Sequence, residues 1–377
     1  MAVSQSAFGE QRSLSLGRQI MAGLRLDAPL LAGLMLIAGF GLVVLWSAGG
    51  QDSSLMVRQL VRLGVAFGVL LAIAQVPPKI LRLWSPWVFA AGLLLLLAVL
   101  VAGDFGKGAQ RWLDLGIVRF QPSEIMKLAV PMMAAWYLHN RPLPPRIIEL
   151  LVLLALVAVP VLLIAQQPDL GTALLVGSAG LLVVLLGGLR LKLIILLGAT
   201  GAALAPVLWH FMRDYQRQRV LTLFSPESDP LGAGYHIIQS KIAIGSGGLF
   251  GKGWGNGSQA QLEFLPERST DFIFAVLGEE FGLIGLVLLM LAYLFLVGRG
   301  MYIALQAQDT FARLLAGSIS LTFFVYVFVN TAMVTGLLPV VGVPLPLVSY
   351  GGTSMVTLMA GFGILMSING HRNLLGK

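Results

Sequence analysis

Residues 28–48 read APLLAGLMLIAGFGLVVLWSA, a continuous apolar run without a charged side chain. About 20 such residues, wound as a helix, cross the ~30 Å hydrocarbon core of a bilayer. The run is too long for the core of a signal peptide and lacks a small-x-small cleavage site. We therefore expect it to remain in the protein as a membrane span.

Comparable runs follow along the chain, and we expect an all-α polytopic integral membrane protein with ten transmembrane helices. Helices are favoured over a β-barrel because the runs are continuous rather than alternating, and a helix satisfies its own backbone. The predicted spans are Ala28–Ala48, Leu55–Val76, Trp84–Ala102, Pro122–Leu138, Ile147–Ala165, Leu170–Leu186, Leu191–Phe211, Phe272–Val297, Leu314–Val334 and Ser349–Ile368.

The composition supports this fold class. Of 377 residues, 57% are hydrophobic and 11% are charged, whereas a soluble domain carries about 25% charged residues. An ordinary cytosolic enzyme, a disordered chain and a nucleic-acid binder are therefore excluded, despite a net charge of +8. The excess of basic residues instead reflects the orientation of the chain in the membrane and contacts with anionic partners such as phospholipid headgroups. Without cysteine there is no disulfide or thiolate site, and the histidines lack metal-ligand spacing.

The orientation follows from the basic residues. An even number of spans places both termini on one side, and the short loops on that side hold more Lys and Arg than those opposite. By the positive-inside rule that side is cytoplasmic. The prediction is thus a single membrane domain over 1–377, with cytoplasmic tails 1–27 and 369–377 and a large extracytoplasmic loop 212–270. Within that loop, Tyr235–Ile244 is predicted to form a short helix at the membrane interface.

Ionisable residues at the mouths of spans are the strongest functional candidates, because they are costly in lipid. Arg111, on the loop before the fourth span, is either an interfacial anchor beside Trp112 or a functional cation. Glu124 and Lys127 are an i,i+3 pair, either a self-neutralising salt bridge or a Lys facing an anionic ligand with Glu124 fixing its position. Asp169 is predicted to cap the sixth span.

Asp271 lies where the long loop meets the eighth span, with Glu267 and Arg268 close by in sequence. It could cap the helix, where the dipole would keep it ionised, or act as a general base at the mouth of a cavity. On a continuous helix, Glu279 and Glu280 would lie about 12–14 Å deeper than Asp271, where we expect them to hold helices together.

Two glycine-rich segments carry further predictions. Residues 245–258 lack the spacing of a phosphate-binding P-loop, which leaves a flexible extracytoplasmic loop or backbone amides that close over a polar substrate. Residues 339–354 contain too much Pro and Gly for a continuous helix. Because irregular backbone near a membrane must be covered by protein or line a cavity, this segment is predicted to line a groove.

Taken together, these blocks resemble the SEDS family (shape, elongation, division and sporulation), and within it the elongation branch rather than the division branch. The resemblance covers nearly the whole chain in family order. It rests on RWL (111–113), QPSEIMK (121–127), QPDLGT (167–172), FLPE with TDFIF (264–274) and PLPLVSYGG (344–352).

The resemblance implies a peptidoglycan glycosyltransferase that polymerises lipid II at the outer face of the bacterial inner membrane during cell elongation. It also implies a class B penicillin-binding protein as activating partner within the elongation machinery. The family's essential aspartate corresponds to Asp271, its conserved arginine to Arg111, and its Glu and Lys on the fourth span to Glu124 and Lys127.

The chemistry of that reaction then suggests roles. Asp271 would be the general base, and Arg111 and Lys127 would bind the departing pyrophosphate, with Glu124 orienting Lys127. The expected supporting residues are Glu267, Arg268, Ser349, Gly351 and Gly352. A divalent cation, Mg or Mn, could assist the leaving group, although no dedicated ligand set is visible and no cofactor is certain.

The same sequence features are compatible with two other functions. A lipid II flippase or other transporter would also contain buried charges and broken helices, but with its polar residues near the midplane. A non-catalytic scaffold for a partner would depend on no single carboxylate.

Overall fold

The computed structural model describes residues 25–106, 109–114, 119–189, 191–212, 214–229, 232–262, 264–265 and 267–372. Most of the predicted tail 1–27 and the end of the predicted tail 369–377 therefore lie outside the described residues.

Ten long helices make up most of the described chain. They are α1 (Ala28–Ala48), α2 (Ser53–Ala74), α3 (Pro78–Ala102), α4 (Pro122–His139), α5 (Ile147–Gln166), α6 (Leu170–Leu186), α7 (Leu191–Phe211), α11 (Ile273–Gln306), α12 (Thr310–Val334) and α13 (Thr353–Gly370). Seven are long and apolar enough to cross a membrane, namely α1, α2, α3, α5, α11, α12 and α13. The helical membrane fold is thus confirmed, whereas ten spans stays a prediction.

Predicted span boundaries differ from the helices mainly where polar residues extend a helix past the apolar run. α3 begins at Pro78 rather than Trp84, because its first turns accept basic residues that hydropathy excludes. α13 begins at Thr353 rather than Ser349, since the residues between them have irregular backbone.

The connections contain shorter elements. They are β1 (Asp104–Gly106), β2 (Ala109–Asp114), β3 (Arg119–Phe120), α8 (Asp214–Phe224), α9 (Ala233–Gly247) and α10 (Ser258–Gln261). The strands form one antiparallel sheet in the order β1-β2-β3. The all-α prediction is therefore wrong for this connection, where inter-strand hydrogen bonds satisfy the backbone. The short helix predicted over Tyr235–Ile244 is confirmed as part of α9.

α12 is the most enclosed of the seven membrane-length helices and packs against α4, α6 and α11. α2 packs against α13, and α1 against α11. This arrangement places α12 in the core, where its polar side chains can contact residues of several neighbouring helices.

The two ends of the described chain meet at one end of the helix bundle. Arg25 contacts His371, and Asp27 at the start of α1 accepts hydrogen bonds from Arg299 (2.7 Å to Oδ2) and from Asn369 (2.9 Å). The start of α1 and the ends of α11 and α13 therefore lie together. Both ends of the described part of the chain are on one side of the bundle, as the even number of predicted spans requires.

α11 is broken at Gly282, whose φ of 64° and ψ of −165° are not helical. At the break, the Leu283 amide donates to the carbonyl of Gly248 (2.9 Å), and the Lys252 amide donates to the carbonyl of Glu279 (2.9 Å). The prediction of one continuous span over Phe272–Val297 is thus wrong. Residues 283–306 alone are long enough to cross a bilayer.

Glu279 and Glu280 lie just before this break. Glu279 is fully buried and accepts a hydrogen bond from Lys252 of the long loop (2.7 Å), while Glu280 accepts one from Ser47 at the end of α1. The two carboxylates do hold elements together. Their partners are the long loop and the end of α1, and their predicted depth relative to Asp271 stays a prediction.

The glycine-rich segment 245–258 is packed against α11 rather than free. Gly251, Gly253 and Gly255 have positive φ, and the amides of Lys252 and Gly253 donate to main-chain carbonyls of α11. These two amides are thus paired within the protein, while both interpretations of the segment stay predictions. At Gly247 and Gly251 a Cβ would clash with the carbonyl oxygens of Gly278 and Glu280, respectively, so a side chain at either position would block this close approach.

The backbone at Gly282 gives a stability prediction. A Cβ there would lie 2.6 Å from the carbonyl oxygen of Leu249, in a conformation that L side chains rarely adopt. We expect Gly282→Ala to destabilise the protein by about 1–3 kcal/mol, measured as a lower unfolding temperature in detergent. Gly298→Ala in the same helix is the control, because its Cβ would meet nothing within 4 Å. Equal unfolding temperatures of the two variants would contradict a break in the helix at Gly282.

Candidate active site

Asp271 lies in a turn just before α11, at the bundle end opposite Arg25. Its carbonyl accepts a hydrogen bond from the Asn330 amide on α12 (2.9 Å). Its carboxylate Oδ2 lies 3.4 Å from where a Cβ on Gly342 would be. The N-cap residue of α11 is Phe272, so Asp271 precedes the cap position. The carboxylate is half-buried beside the irregular segment 339–352, where a substrate could reach it.

The segment 339–352 fixes the turn that carries Asp271. The Ser349 hydroxyl donates to the carbonyl of Thr270 (2.5 Å) and accepts from the Leu345 amide (2.8 Å). The Tyr350 amide donates to the carbonyl of Ser269 (2.8 Å). The predicted irregular backbone is confirmed, and these contacts pair several of its polar groups within the protein, as membrane depth requires.

Arg111 lies on β2 and contacts the turn between α5 and α6. Its guanidinium donates to the carbonyl of Gln167 (3.4 Å) and to that of Pro168. In addition, Gln121 donates to the carboxylate of Asp169 (2.8 Å). The two sequence motifs that begin with Gln-Pro, at 121 and at 167, therefore meet in space.

Asp169 also caps α6, as predicted. Its Oδ1 accepts from the Thr172 amide at 3.2 Å. The start of α6 is in turn packed on the segment near Asp271, since a Cβ on Gly171 would lie 2.8 Å from the carbonyl oxygen of Val341. Arg111 and Asp271 are therefore linked through α6 and residues 341–342.

Lys127 and Glu124 form a buried ion pair on α4. The Lys127 ammonium lies 2.6 Å from Glu124 Oε1, and their side chains are only 6% and 7% exposed. The ammonium also lies over the ring of Tyr326, 5.2 Å from its centroid. The salt-bridge interpretation is confirmed, whereas binding of an anionic ligand by Lys127 stays a prediction.

Beside this pair is a cavity between α4, α12 and α13 with an empty volume of about 390 Å³, part of it open. It is lined by Lys127, Leu128, Pro131, Ile319, Thr322, Phe323, Tyr326, Thr357, Leu358, Gly361 and Phe362. Asp271 is not in this lining. However, Tyr326 at the cavity and Asn330 at Asp271 are four residues apart on α12, about 6 Å along its axis.

Two of the expected supporting residues, Glu267 and Arg268, precede Asp271 in the same turn region. Glu267 accepts from the Thr270 hydroxyl (2.6 Å). Arg268 donates to the carbonyl of Ala260, and its Nη2 lies 3.6 Å from where a Cβ on Gly50 would be. Arg268 therefore connects the long loop to the turn between α1 and α2.

Gly351 and Gly352 follow Tyr350 and lead into α13, with Gly352 at its N-cap. The Arg62 guanidinium on α2 lies 3.6 Å from where a Cβ on Gly352 would be. The guanidinium is therefore in van der Waals reach of this position.

Sequence reasoning missed Asn330, although a signal was present. Asn330 is a polar residue within the apolar run of α12, and it is fully buried. Its amide donates both to the Asp271 carbonyl and to that of Val343 (2.7 Å). Polar side chains inside a membrane span merit the same attention as charged ones.

His236 on α9 was also missed. Its ring stacks on Phe272 with centroids 5.4 Å apart. Burial lowers the pKa of His236, while the nearby carboxylates of Glu267 and Asp229 act in the opposite direction. The imidazole is therefore predominantly neutral at neutral pH. Its stacking partner, Phe272, is the residue that follows Asp271.

The buried ion pair gives a stability prediction. Lys127→Met would leave the Glu124 carboxylate buried without its partner, which costs about 3–5 kcal/mol in buried pairs. We expect a clear drop in the unfolding temperature. The double variant with Glu124→Gln should recover most of the loss, because no unpaired charge remains. A Lys127→Met protein as stable as the parent would contradict the pairing.

His236 gives a pH prediction. Its pKa in the folded protein lies below the usual 6.5, so the unfolded chain takes up the proton first as the pH falls. Its contribution to stability is therefore intact above pH 6.5 and is lost as the pH falls through the folded pKa. We expect thermal unfolding at pH 7.5 and 5.5 to differ less in His236→Gln than in the parent. An unchanged difference would contradict the buried neutral imidazole.

A membrane bundle with an acid at one end, held by buried polar contacts and flanked by cationic side chains, is suited to chemistry on an anionic amphiphile. Residues 27–374 match the FtsW/RodA/SpoVE family, described as cell cycle proteins, and the chain belongs to this family.

Similar proteins refine this assignment. The chain is 55% identical over 353 residues to the peptidoglycan glycosyltransferase MrdB of Escherichia coli (strain K12), covering 93% of this chain and 95% of that one. It is 35% identical over 370 residues to a probable peptidoglycan glycosyltransferase FtsW of Geobacter sulfurreducens, covering 94% and 98%. The enzyme class expected from the sequence is confirmed.

Solved structures agree. The fold matches a structure described as the structural coordination of polymerization and crosslinking by a peptidoglycan synthase complex, with a TM-score of 0.81 and 32% identity, covering 92% of this chain and 99% of that one. It also matches the rod shape determining protein RodA of Thermus thermophilus, with a TM-score of 0.70 and 30% identity, covering 92% and 98%. The family resemblance expected from the sequence is confirmed, and RodA is one of the members to which this chain is similar.

Proposed function

We propose that this peptidoglycan glycosyltransferase polymerises lipid II into β-1,4-linked glycan strands at the outer face of the bacterial inner membrane during cell elongation. The donor sugar carries an α-linked polyprenyl diphosphate and the product is a β-glycoside, so the anomeric carbon is inverted. Such a displacement needs a base for the attacking 4-hydroxyl and stabilisation of the departing diphosphate.

Asp271 is the general base in this proposal. This assignment rests on one observation: hydrogen bonds from Asn330, Ser349 and Tyr350 hold the turn that contains Asp271. The carboxylate itself is half-buried. A base must be held within hydrogen-bond reach of the hydroxyl it deprotonates, and this framework supplies that constraint. In the reaction the carboxylate takes the proton as the new glycosidic bond forms and the bond to the diphosphate breaks.

Arg111 and Lys127 are the proposed ligands of the departing diphosphate. Arg111 uses two N–H groups on carbonyls, and a guanidinium has five, so others are available to phosphate oxygens. Lys127 lines the cavity next to the site, and Glu124 holds its ammonium in position. Glu267 and Arg268 support the Asp271 turn, and Ser349, Gly351 and Gly352 support it from the opposite segment.

The proposed topology has ten transmembrane helices, cytoplasmic termini and the loop 212–270 on the extracytoplasmic side. Asp271 and Arg268 then face the extracytoplasmic side, where the sugars of lipid II are located. A class B penicillin-binding protein would be the activating partner. Mg or Mn could assist the leaving group, but the described residues contain no group of three or more His, Asp or Glu that could hold a metal.

A lipid II flippase is the alternative, and the buried Glu124–Lys127 pair is the observation that favours it, because transporters place charges inside the bundle. The position of Asp271 at one end of the bundle, between two turns, favours surface chemistry. A scaffold without activity would not need the hydrogen-bonded framework around one carboxylate.

The proposal is tested by polymerisation of labelled lipid II with the full-length protein and its penicillin-binding partner. We expect Asp271→Asn to fold and bind the partner but to lose at least about 100-fold in rate, because a general base contributes 10²–10⁴-fold. Asp214→Asn is the matched control, an exposed carboxylate of the same long loop. A normal rate of polymerisation by Asp271→Asn would contradict the role of Asp271 as general base. An equal loss of rate in both variants would indicate a general effect of charge.

A further inference from the structure

We propose a second binding site for a diphosphate-linked polyprenyl saccharide, formed by Arg58 and Arg62 of α2 together with Tyr350. The inference rests on the proposed function and adds to it the site of the second substrate. Polymerisation joins two lipid-linked saccharides, so an enzyme that holds both needs two places for an anionic headgroup. Arg111 and Lys127 account for one of them.

The two arginines lie on one face of α2, four residues apart, near the helix start. The Arg58 Nε donates to the Tyr350 hydroxyl (3.3 Å), and the Arg62 guanidinium lies over the Tyr350 ring, 4.3 Å from its centroid. The tyrosine thus aligns both guanidinium groups. An arginine held in plane is suited to bidentate contact with phosphate oxygens.

The charge balance of this cluster is positive. Asp52 is its acidic neighbour, with Oδ2 3.9 Å from Arg58. Hydrogen bonds from the Ser54 hydroxyl and amide lower the pKa of Asp52, so it is ionised. However, both side chains of this pair are about half exposed, at 46% and 53%, and such a pair is weak. A diphosphate can therefore displace this contact at little cost.

The cluster is directly connected to the proposed base. Tyr350 is the residue whose amide donates to the Ser269 carbonyl, two residues before Asp271. The Arg62 guanidinium also lies next to Gly352 at the start of α13. No side chain caps this helix, and an uncapped helix start adds a partial positive charge beside Arg62.

The segment 339–352 therefore has a cationic site on each side of Asp271. Val341 packs on the start of α6, whose preceding turn contacts Arg111, and Tyr350 contacts Arg58 and Arg62. In the proposed reaction the Arg111 side holds the donor diphosphate, which leaves. The Arg58–Arg62 side holds the diphosphate of the acceptor, which keeps its lipid and presents its 4-hydroxyl to Asp271.

The test is binding of undecaprenyl diphosphate to the full-length protein in detergent, measured by native mass spectrometry. We expect two molecules per chain in the parent and one in Arg58→Gln/Arg62→Gln, with the affinity for the second molecule reduced at least about tenfold. Arg62→Lys keeps the charge but loses the planar contact, so an intermediate loss is expected. Arg313→Gln, an exposed arginine at the other end of the bundle, is the matched control.

The outcomes separate this inference from the catalytic proposal. Asp271→Asn should still bind two molecules, because binding precedes chemistry, and Arg111→Gln should bind one. If Arg111→Gln still binds two while Arg58→Gln/Arg62→Gln binds one, the donor assignment fails and this inference stands. Unchanged binding in Arg58→Gln/Arg62→Gln would overturn it. Equal competition by phosphatidylglycerol would also overturn it, because the arginines would then be a general phospholipid contact.

Discussion

A membrane protein that leaves helical geometry must pair every exposed backbone group with protein, and this constraint shapes the site around Asp271. The chain departs from a helix twice at the same end of the bundle, before α11 and over residues 339–352. Each departure supplies partners for the other: Ser349 and Tyr350 donate to the carbonyls of Thr270 and Ser269. Asn330 joins both segments to α12. Unpaired, each such group would cost about 1–3 kcal/mol or more. The turn that carries the Asp271 carboxylate is therefore held by the same backbone pairing that makes irregular backbone tolerable in a membrane.

The same logic explains the break in α11. Gly282 allows the helix to start at the mouth of the bundle, turn, and only then cross the membrane, with residues 248–253 filling the hydrogen bonds that the break leaves open. Glu279 and Glu280 fasten the first part of the helix to Lys252 and Ser47. As a result Asp271 lies next to a short helical segment that these contacts fix at the end of the bundle.

Much of this could be predicted from the sequence, because hydropathy and charge act locally. The runs of apolar residues located all ten long helices, and the capping of α6 by Asp169 and the pairing of Glu124 with Lys127 followed from spacing along a helix. What could not be predicted depends on contacts between distant segments. The contact of Arg111 with the turn between α5 and α6 joins segments far apart in the sequence. The same is true of the contacts at the Gly282 break and of the contacts of Tyr350 with Arg58 and Arg62. Asn330 was predictable in principle, as a polar residue within an apolar run, but only the structure gives its partners.

The central claim, that the Asp271 carboxylate removes the proton from the attacking hydroxyl, is tested most directly by chemical rescue. Asp271→Ala removes the base and leaves space that a small carboxylate can enter. Formate added to the full-length variant with its partner should restore part of the rate of lipid II polymerisation, in proportion to its concentration, and should leave the parent enzyme unchanged. Polymerisation by Asp271→Ala at the parental rate without formate would contradict the account.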